Sequence, residues 1–396
     1  MSESSSPSAS SWRLCWIPAP HLQLTHAALV TPGGVAAERA AGIPSGTSHL
    51  LEHLLYRQNS LEGDPFDHLG GKFGLLTERE RMTAYLAFQP SDSAGTLHRL
   101  RRWWDELNLD QTILAEECEV VADEIRNAGG SALHLVRSRV IGDLTFGTHL
   151  HGDFIGSKST LISLNAEELR VAHQKIRALG AAIVALGPID PWKDLKTDEF
   201  TCEPWRVAVE AIPQQKRVRL RGGFGSGCLI VSACLMPGLT SPDVLASYSA
   251  FAALAYGRKH PSQIGFHRKL RLRTLDVSLQ MFAGTGLLSA YALCDVAQVT
   301  EVCDLIEDLL TNPVRGSTAD RIARSTRHHL ASIIDNPHDH VVSSATNLLH
   351  GVPLPGTLLE LVKSSSPEDL ARSAASSVRS GPVTYILERG SSKSPI

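Results

Sequence analysis

His49-Leu50-Leu51-Glu52-His53 is the stretch on which the reading of this chain turns. Two histidines at i and i+4, with a glutamate just before the second, spell the inverted zinc-hydrolase order H-x-x-E-H. On an α-helix each residue advances ~100°, so His49, Glu52, His53 and Tyr56 share one side within an arc of roughly 100°. Leu50, Leu51, Leu54 and Leu55 fill the other side. Such a helix anchors one face in a core and presents two imidazoles and a carboxylate on the opposite face. Zinc takes neutral imidazole ligands at about 2.0–2.1 Å in a tetrahedral set, and catalytic sites keep one position for water. A carboxylate between the histidines is placed to take a proton from that water. Pro44-Ser45-Gly46 marks a loop before the helix, and Thr47 or Ser48 is the expected cap of its start. The competing reading is a solvated helix face, because a chain with 17 histidines presents this order by chance now and then. A third ligand has to decide between them.

Two histidines do not hold a catalytic zinc by themselves. The segment from Glu116 to Ile125 is helical by composition. Glu117, Val120, Val121 and Glu124 fall on one stripe at three- and four-residue spacing. Carboxylates seven residues apart differ by only ~20° around a helix. An acidic pair on the valine side is costly unless a cation faces it. Glu124 is therefore the expected third ligand. Glu117 is expected to orient a ligand histidine through its free ring nitrogen. Glu116, Glu119 and Asp123 read as a solvated face.

With these residues in place, the chain resembles the pitrilysin family of zinc metallopeptidases, which includes the mitochondrial processing peptidases and insulin-degrading enzyme. The family pattern is H-x-x-E-H followed by a helix with E-x(6)-E, matched here by Glu117 and Glu124. The run from Gly46 to Leu55 resembles the family's G-x-x-H-x-x-E-H-x-x-F. Leu69–Phe73 and Thr77–Tyr85 resemble its substrate-edge strand and the partner of that strand. Phe146–Gly156 resembles its H-P-L-G segment, and Ala250–Leu293 its second-half block carrying an arginine and a tyrosine. The likeness runs in order along nearly the whole chain. It implies repeated α+β modules and one zinc ion per chain on His49, His53 and Glu124, with Glu52 as general base. It further implies a peptide or unfolded segment as substrate, laid along Gly74, Leu75, Leu76 and Thr77.

Two departures matter. The family's R-x(6)-Y is represented by Arg271, but Ser278 stands where the tyrosine belongs. The phenolic donor to a tetrahedral oxyanion is thus missing. In two-subunit members one chain carries the zinc motif and the other supplies the arginine and tyrosine. The resemblance therefore implies the zinc-bearing subunit of a heterodimer whose partner is a similar chain, with a homodimer as the other possibility. Gly74-Leu75 also replaces the family's Asn-Ala at the start of the substrate strand.

At 396 residues the chain is too long for one ordinary core, so two domains are expected. Hydrophobic residues are 43% and charged residues 20%, an ordinary globular balance. A net charge of -3 without a basic run argues against a nucleic-acid binder. No apolar run approaches a membrane span. The seven cysteines are scattered without a C-x-x-C pair, so neither a disulfide framework nor a thiolate metal site is indicated. That suits a reducing compartment, and with no signal peptide in the Ser-rich start the expected location is cytoplasmic.

The fold class expected is α+β: two similar α/β-sandwich modules, each a mixed, mostly antiparallel sheet with helices packed on it. The expected boundaries are a disordered tail at 1–11, the zinc-binding domain at 12–190, a proline-punctuated linker at 191–215, the second domain at 216–389 and a tail at 390–396. Strands are expected near 13–17, 24–30, 72–77, 82–88 and 181–187, and again near 217–220, 229–235, 277–283, 287–293 and 383–388. Helices are expected near 46–57, 65–69, 92–107, 111–127, 131–144, 166–178, 241–257, 297–311 and 317–333. His338 and His340, two apart, point to different sides of a helix and read as a helix-start or loop pair rather than ligands. His328-His329 reads as surface, and His149 and His151 as loop packing. The glycine run 222–227 lacks the Lys-Ser/Thr of a phosphate loop and reads as a turn.

Overall fold

The computed structural model describes residues 12–60, 66, 71–192, 215–222, 227–256 and 270–389. The two expected tails, most of the linker expected at 191–215, most of the helix expected near 65–69, most of the turn expected at 222–227 and residues 257–269 lie outside these.

Ten strands form two five-stranded sheets among the described residues. The first holds β1 (Trp12–Pro18), β2 (Thr25–Pro32), β3 (Lys72–Thr77), β4 (Arg81–Phe88) and β5 (Ala181–Gly187) in the order β1-β5-β2-β4-β3. The second holds β6 (Lys216–Gly222), β7 (Cys228–Pro237), β8 (Leu272–Met281), β9 (Thr285–Cys294) and β10 (Val383–Arg389) in the order β6-β10-β7-β9-β8. Counted within each sheet, the two orders are identical. In each, the first and last strands pair in parallel and every other neighbour is antiparallel. The module expected twice from sequence is thus present twice. β5 and β7 are buried at every position, the run expected of an inner strand covered on both faces. β3 and β8 each form one edge of their sheet, and most of their positions are exposed or half-buried.

The helices are α1 (Gly34–Ala41), α2 (Thr47–Ser60), α3 (Ser93–Asp105), α4 (Gln111–Gly130), α5 (Ala132–Leu144), α6 (Lys158–Ile162), α7 (Ala166–Ala178), α8 (Val244–Ala255), α9 (Val299–Thr311), α10 (Ala319–Asp335), α11 (Pro337–His350), α12 (Pro355–Ser364) and α13 (Pro367–Ala375). Two compact units share them. The first comprises residues 1–126, 152–205 and 333–355, the second 127–151, 206–332 and 356–396. Accordingly α11 packs on β2 and β5 in the first unit, and α5 packs on β7 and β10 in the second. Helices α1, α6 and α11 to α13 lie outside the expected set. The signal for α11 was legible: Asn336 accepts from the His338 and Asp339 N–H groups, with Pro337 at the first helical position. His338 and His340 therefore sit at a helix start, as read.

The core of the first unit explains why α2 lies where it does. Leu50, Leu51, Leu54 and Leu55 are each no more than 1% exposed and pack with Trp12, Leu29 and Trp104. Burying a leucine is worth about 1.5–3 kcal/mol, so four of them fix the rotation of α2 about its axis. The opposite face, with His49, Glu52 and His53, is turned away from that core by the same constraint.

Candidate metal centre

The start of α2 is built from three segments. Gly46 and Gly156 both have φ +87° and pass so closely that a Cβ on either would lie 2.6 Å from the other's Cα. Only glycine fits both places. Thr47 Oγ1 donates to the Pro44 carbonyl (2.7 Å) and is not the cap. The cap comes from α1 instead. Glu38 Oε2 accepts from the Gly46 N–H (3.0 Å), and its Oε1 accepts from the Ser48 N–H (2.8 Å). Glu38 is 1% exposed, and burial pushes its carboxyl up to about 7 against the opposing pull of the Ser48 and Gly46 N–H groups. A local reading looks for the cap within a few residues of the helix; this one lies a whole element upstream.

One turn further, His49 and His53 stand edge to face with ring centroids 4.9 Å apart. The Glu124 carboxylate reaches both from α4: its Oε2 is 3.3 Å from His49 Nε2 and 3.5 Å from His53 Nε2. One donor atom from each of the three lies within 4.8 Å of the other two, and no other such trio of His, Cys, Asp or Glu occurs among the described residues. Neighbouring ligand atoms on a tetrahedral ion with bonds of about 2.0–2.1 Å stand ~3.4 Å apart. The two carboxylate–imidazole spacings are close to that edge length. Burial, and then the neighbouring His53, push the His49 pKa down, against the pull of Glu52 and Glu124. A neutral ring leaves a lone pair for a metal.

Glu117 is buried and its Oε2 lies 3.2 Å from His53 Nδ1. With Nδ1–H donating there, the lone pair of His53 is left on Nε2, the nitrogen that faces Glu124. The other Glu117 oxygen is 3.7 Å from Arg57 Nε, and Arg57 Nη2 donates to Glu116 Oε2 (3.1 Å). Glu116 is thus engaged rather than simply solvated. Arg57 went unnoticed in the sequence, although it stands one turn beyond His53. The acidic stripe also differs from its expected form. Val121 is buried, but Val120 is 45% exposed and the Glu124 side chain is half exposed. We expect Glu117→Gln to weaken zinc binding roughly 10–100-fold, measured by competition with a chelator, since the amide can no longer hold the His53 ring as an anion does. Unchanged affinity would remove Glu117 from the site.

Glu52 is partly buried and lines a cavity with Leu55, Leu75, Leu76, Met82 and Trp103. The edge strand β3 therefore runs beside the face of α2 that carries the carboxylate. Tyr56 stacks on Phe73 of β3, 6.1 Å between centroids, and Phe73 meets Trp103 edge-on. Gly74 faces open space, Leu76 is 56% exposed and Thr77 is buried. Arg271 belongs to the second unit, exposed just ahead of β8, where its N–H donates to Gln298 Oε1 (2.7 Å). Ser278, at the expected tyrosine position, lies on β8 with its Oγ 2.8 Å from Ser289 Oγ. Of the other histidines, His151 Nδ1 is bonded to the Gly142 carbonyl (2.9 Å) in its loop. His329 departs from the surface reading: it packs among Tyr248, Phe251 and Tyr256, and burial lowers its pKa to about 4.

No family model matches the chain. A curated relative from Mycobacterium leprae, named an uncharacterized zinc protease, is 22% identical over 306 residues. The match spans 70% of this chain and 66% of that protein's own length. Among solved structures, an M16-like peptidase from Alicyclobacillus acidocaldarius superposes with a TM-score of 0.76 at 14% identity, covering 96% of this chain and 98% of that one. This chain has an M16-like peptidase fold. A peptidase M16 inactive domain from Pseudomonas fluorescens is equally similar, with a TM-score of 0.78 at 14% identity over 98% of both chains. The fold is therefore common to proteins described as peptidases and to one described as inactive. What separates those two cases in this chain is its own side chains.

Proposed function

We propose that this chain is a zinc-dependent endopeptidase subunit of the pitrilysin type, acting on peptides or unfolded segments. The observation that carries the reading is the convergence of His49, His53 and Glu124, with donor atoms within 4.8 Å of one another, and Glu52 on the same helix beside an open strand edge. A zinc ion on those three residues supplies Lewis-acid activation of water. Glu52 is the base that takes the proton from the attacking water, and it then returns the proton to the leaving amine. A peptide adds to the sheet as a further strand along β3, so backbone pairing rather than side-chain selection supplies most of its hold. Arg57 and Glu117 keep His53 in the tautomer that presents Nε2 to the metal.

The experiment is metal analysis of the purified chain. We expect close to one zinc per chain, lost in His49→Ala, His53→Ala and Glu124→Gln, because each removes one of three protein ligands. A variant lacking all three that still held stoichiometric zinc would end this reading. The second reading, a non-hydrolytic scaffold subunit, draws support from the Pseudomonas neighbour described as an inactive domain and from Ser278 in place of tyrosine. Retention of the full ligand set and of Glu52 favours the enzyme. The partner proposed is a similar chain that supplies an arginine–tyrosine pair, with a homodimer as the alternative.

A further inference from the structure

Glu38 lies on the short helix α1 with no sequence motif around it, and the fold buries it to 1% exposure. Buried carboxylates are ordinarily paired with a cation or neutralised. Among the described residues no ion pair reaches Glu38. Its partners are the N–H groups of Gly46 and Ser48, at 3.0 and 2.8 Å. These are free donors at the start of α2, where the helix dipole presents its positive end. Both oxygens are engaged this way, and in the ionised form the bonds are charge-assisted and stronger than those of a neutral side chain.

What stands behind Glu38 is equally fixed. The Ala36 N–H donates to the Arg79 carbonyl (3.0 Å) and the Gly33 N–H to the Glu80 carbonyl (3.1 Å), so α1 is tied to the turn between β3 and β4. Arg79 in turn donates to the Gly152 carbonyl and lies over the Phe154 ring. The loop from 152 to 156 then closes on Gly46 through the glycine crossing. Glu38 is the link by which this frame grips the first turn of α2, and His49 is the residue after Ser48. A shift or twist of that first turn moves His49 relative to Glu124, which arrives from another helix.

We propose that Glu38 is a positioning residue: it sets the start of α2 and thereby the placement of His49 against His53 and Glu124 for metal binding. This rests on the metal reading above. Glutamine has nearly the same shape but keeps one acceptor oxygen, so its NH2 group would meet a backbone N–H donor to donor. One of the two grips is lost.

The test compares zinc affinity, by chelator competition, in the full-length wild type, Glu38→Gln and Asn165→Ala. The last removes the side chain that caps α7 in the same unit and is the control for lost stability alone. Glu38→Gln is expected to keep its circular dichroism but bind zinc more weakly by ~10-fold or more, the scale seen when groups that orient ligands are removed. Its cobalt(II) absorption should change in band position, because the bands report ligand geometry. Asn165→Ala should bind as the wild type does. Wild-type zinc affinity and an unchanged cobalt spectrum in Glu38→Gln would overturn the proposal. So would an equal loss in Asn165→Ala, which would make stability the cause. If Glu38→Gln does not fold, Glu38→Asp carries the same test: it keeps the anion one methylene short of its two donors, and undiminished affinity there would also overturn the proposal. A wild type that binds neither metal sinks the metal reading itself, and the positioning role falls with it; zinc binding lost only in the ligand variants leaves that reading standing while refuting Glu38.

Discussion

Replacing Glu52 by glutamine is expected to abolish measurable peptide cleavage while leaving zinc content and fold intact. The amide fills the same space on α2 but cannot accept the proton of the attacking water. Glu52 is not one of the three converging donors, so the proposed ligand set of His49, His53 and Glu124 is untouched. Loss of a positioned general base costs typically 10²–10⁴-fold in rate. The effect should therefore appear as a fall of at least that order in turnover of a fluorogenic peptide. Metal analysis and circular dichroism of the same preparation should match the wild type. Turnover at the wild-type rate would remove Glu52 from the mechanism. Loss of zinc along with activity would show instead that the carboxylate helps to hold the metal. If the wild type cleaves nothing even with a partner present, the scaffold reading takes over.

Much of this arrangement was legible before the fold was known, and the reasons are physical. A leucine stripe opposite His49, Glu52 and His53 can only be buried one way, so the rotation of α2 followed from the sequence. The seven-residue spacing of Glu117 and Glu124 placed both on the side of α4 that meets that helix. The two sheets were readable because strands β5 and β7 carry apolar runs, broken in β7 only by Ser232. What escaped was whatever depends on contacts between segments distant in the chain. Glu38 looks like an ordinary charged residue of an Ala-rich stretch until the loop after α1 returns Gly46 and Ser48 to it. Arg57 looks like a solvated end of α2 until Glu116 and Glu117 arrive from α4. The exposure of Val120 was misread because a helix packed at only part of its circumference leaves some of its valines outside. His329 was placed at the surface because adjacent histidines on a helix usually are. Its neighbours Tyr248 and Phe251 come from α8, which no local pattern reveals.

Mixing this chain with a similar one that carries R-x(6)-Y is expected to raise peptide cleavage by roughly two to three orders of magnitude. The argument starts at Ser278. Its hydroxyl is tied to Ser289 across the β8–β9 pair, so even as a short donor it is committed within its own sheet. The chain thus offers no phenol from this position to the oxyanion that develops when water attacks the scissile carbonyl. Removing one such donor from an enzyme costs ~2.7–4 kcal/mol, which is about 10²–10³ in kcat. Supplying one should return as much. The gain should appear in kcat more than in KM, because the donor acts on charge that exists only in the transition state. It should vanish when the partner's tyrosine is changed to phenylalanine, which keeps the ring and removes only the hydroxyl. Full activity from this chain as a homodimer, unmoved by any added subunit, would refute the two-chain reading. The oxyanion would then have to be met by an arginine of this chain, and Arg271→Ala and Arg273→Ala, measured separately, would show which of the two exposed guanidinium groups carries it.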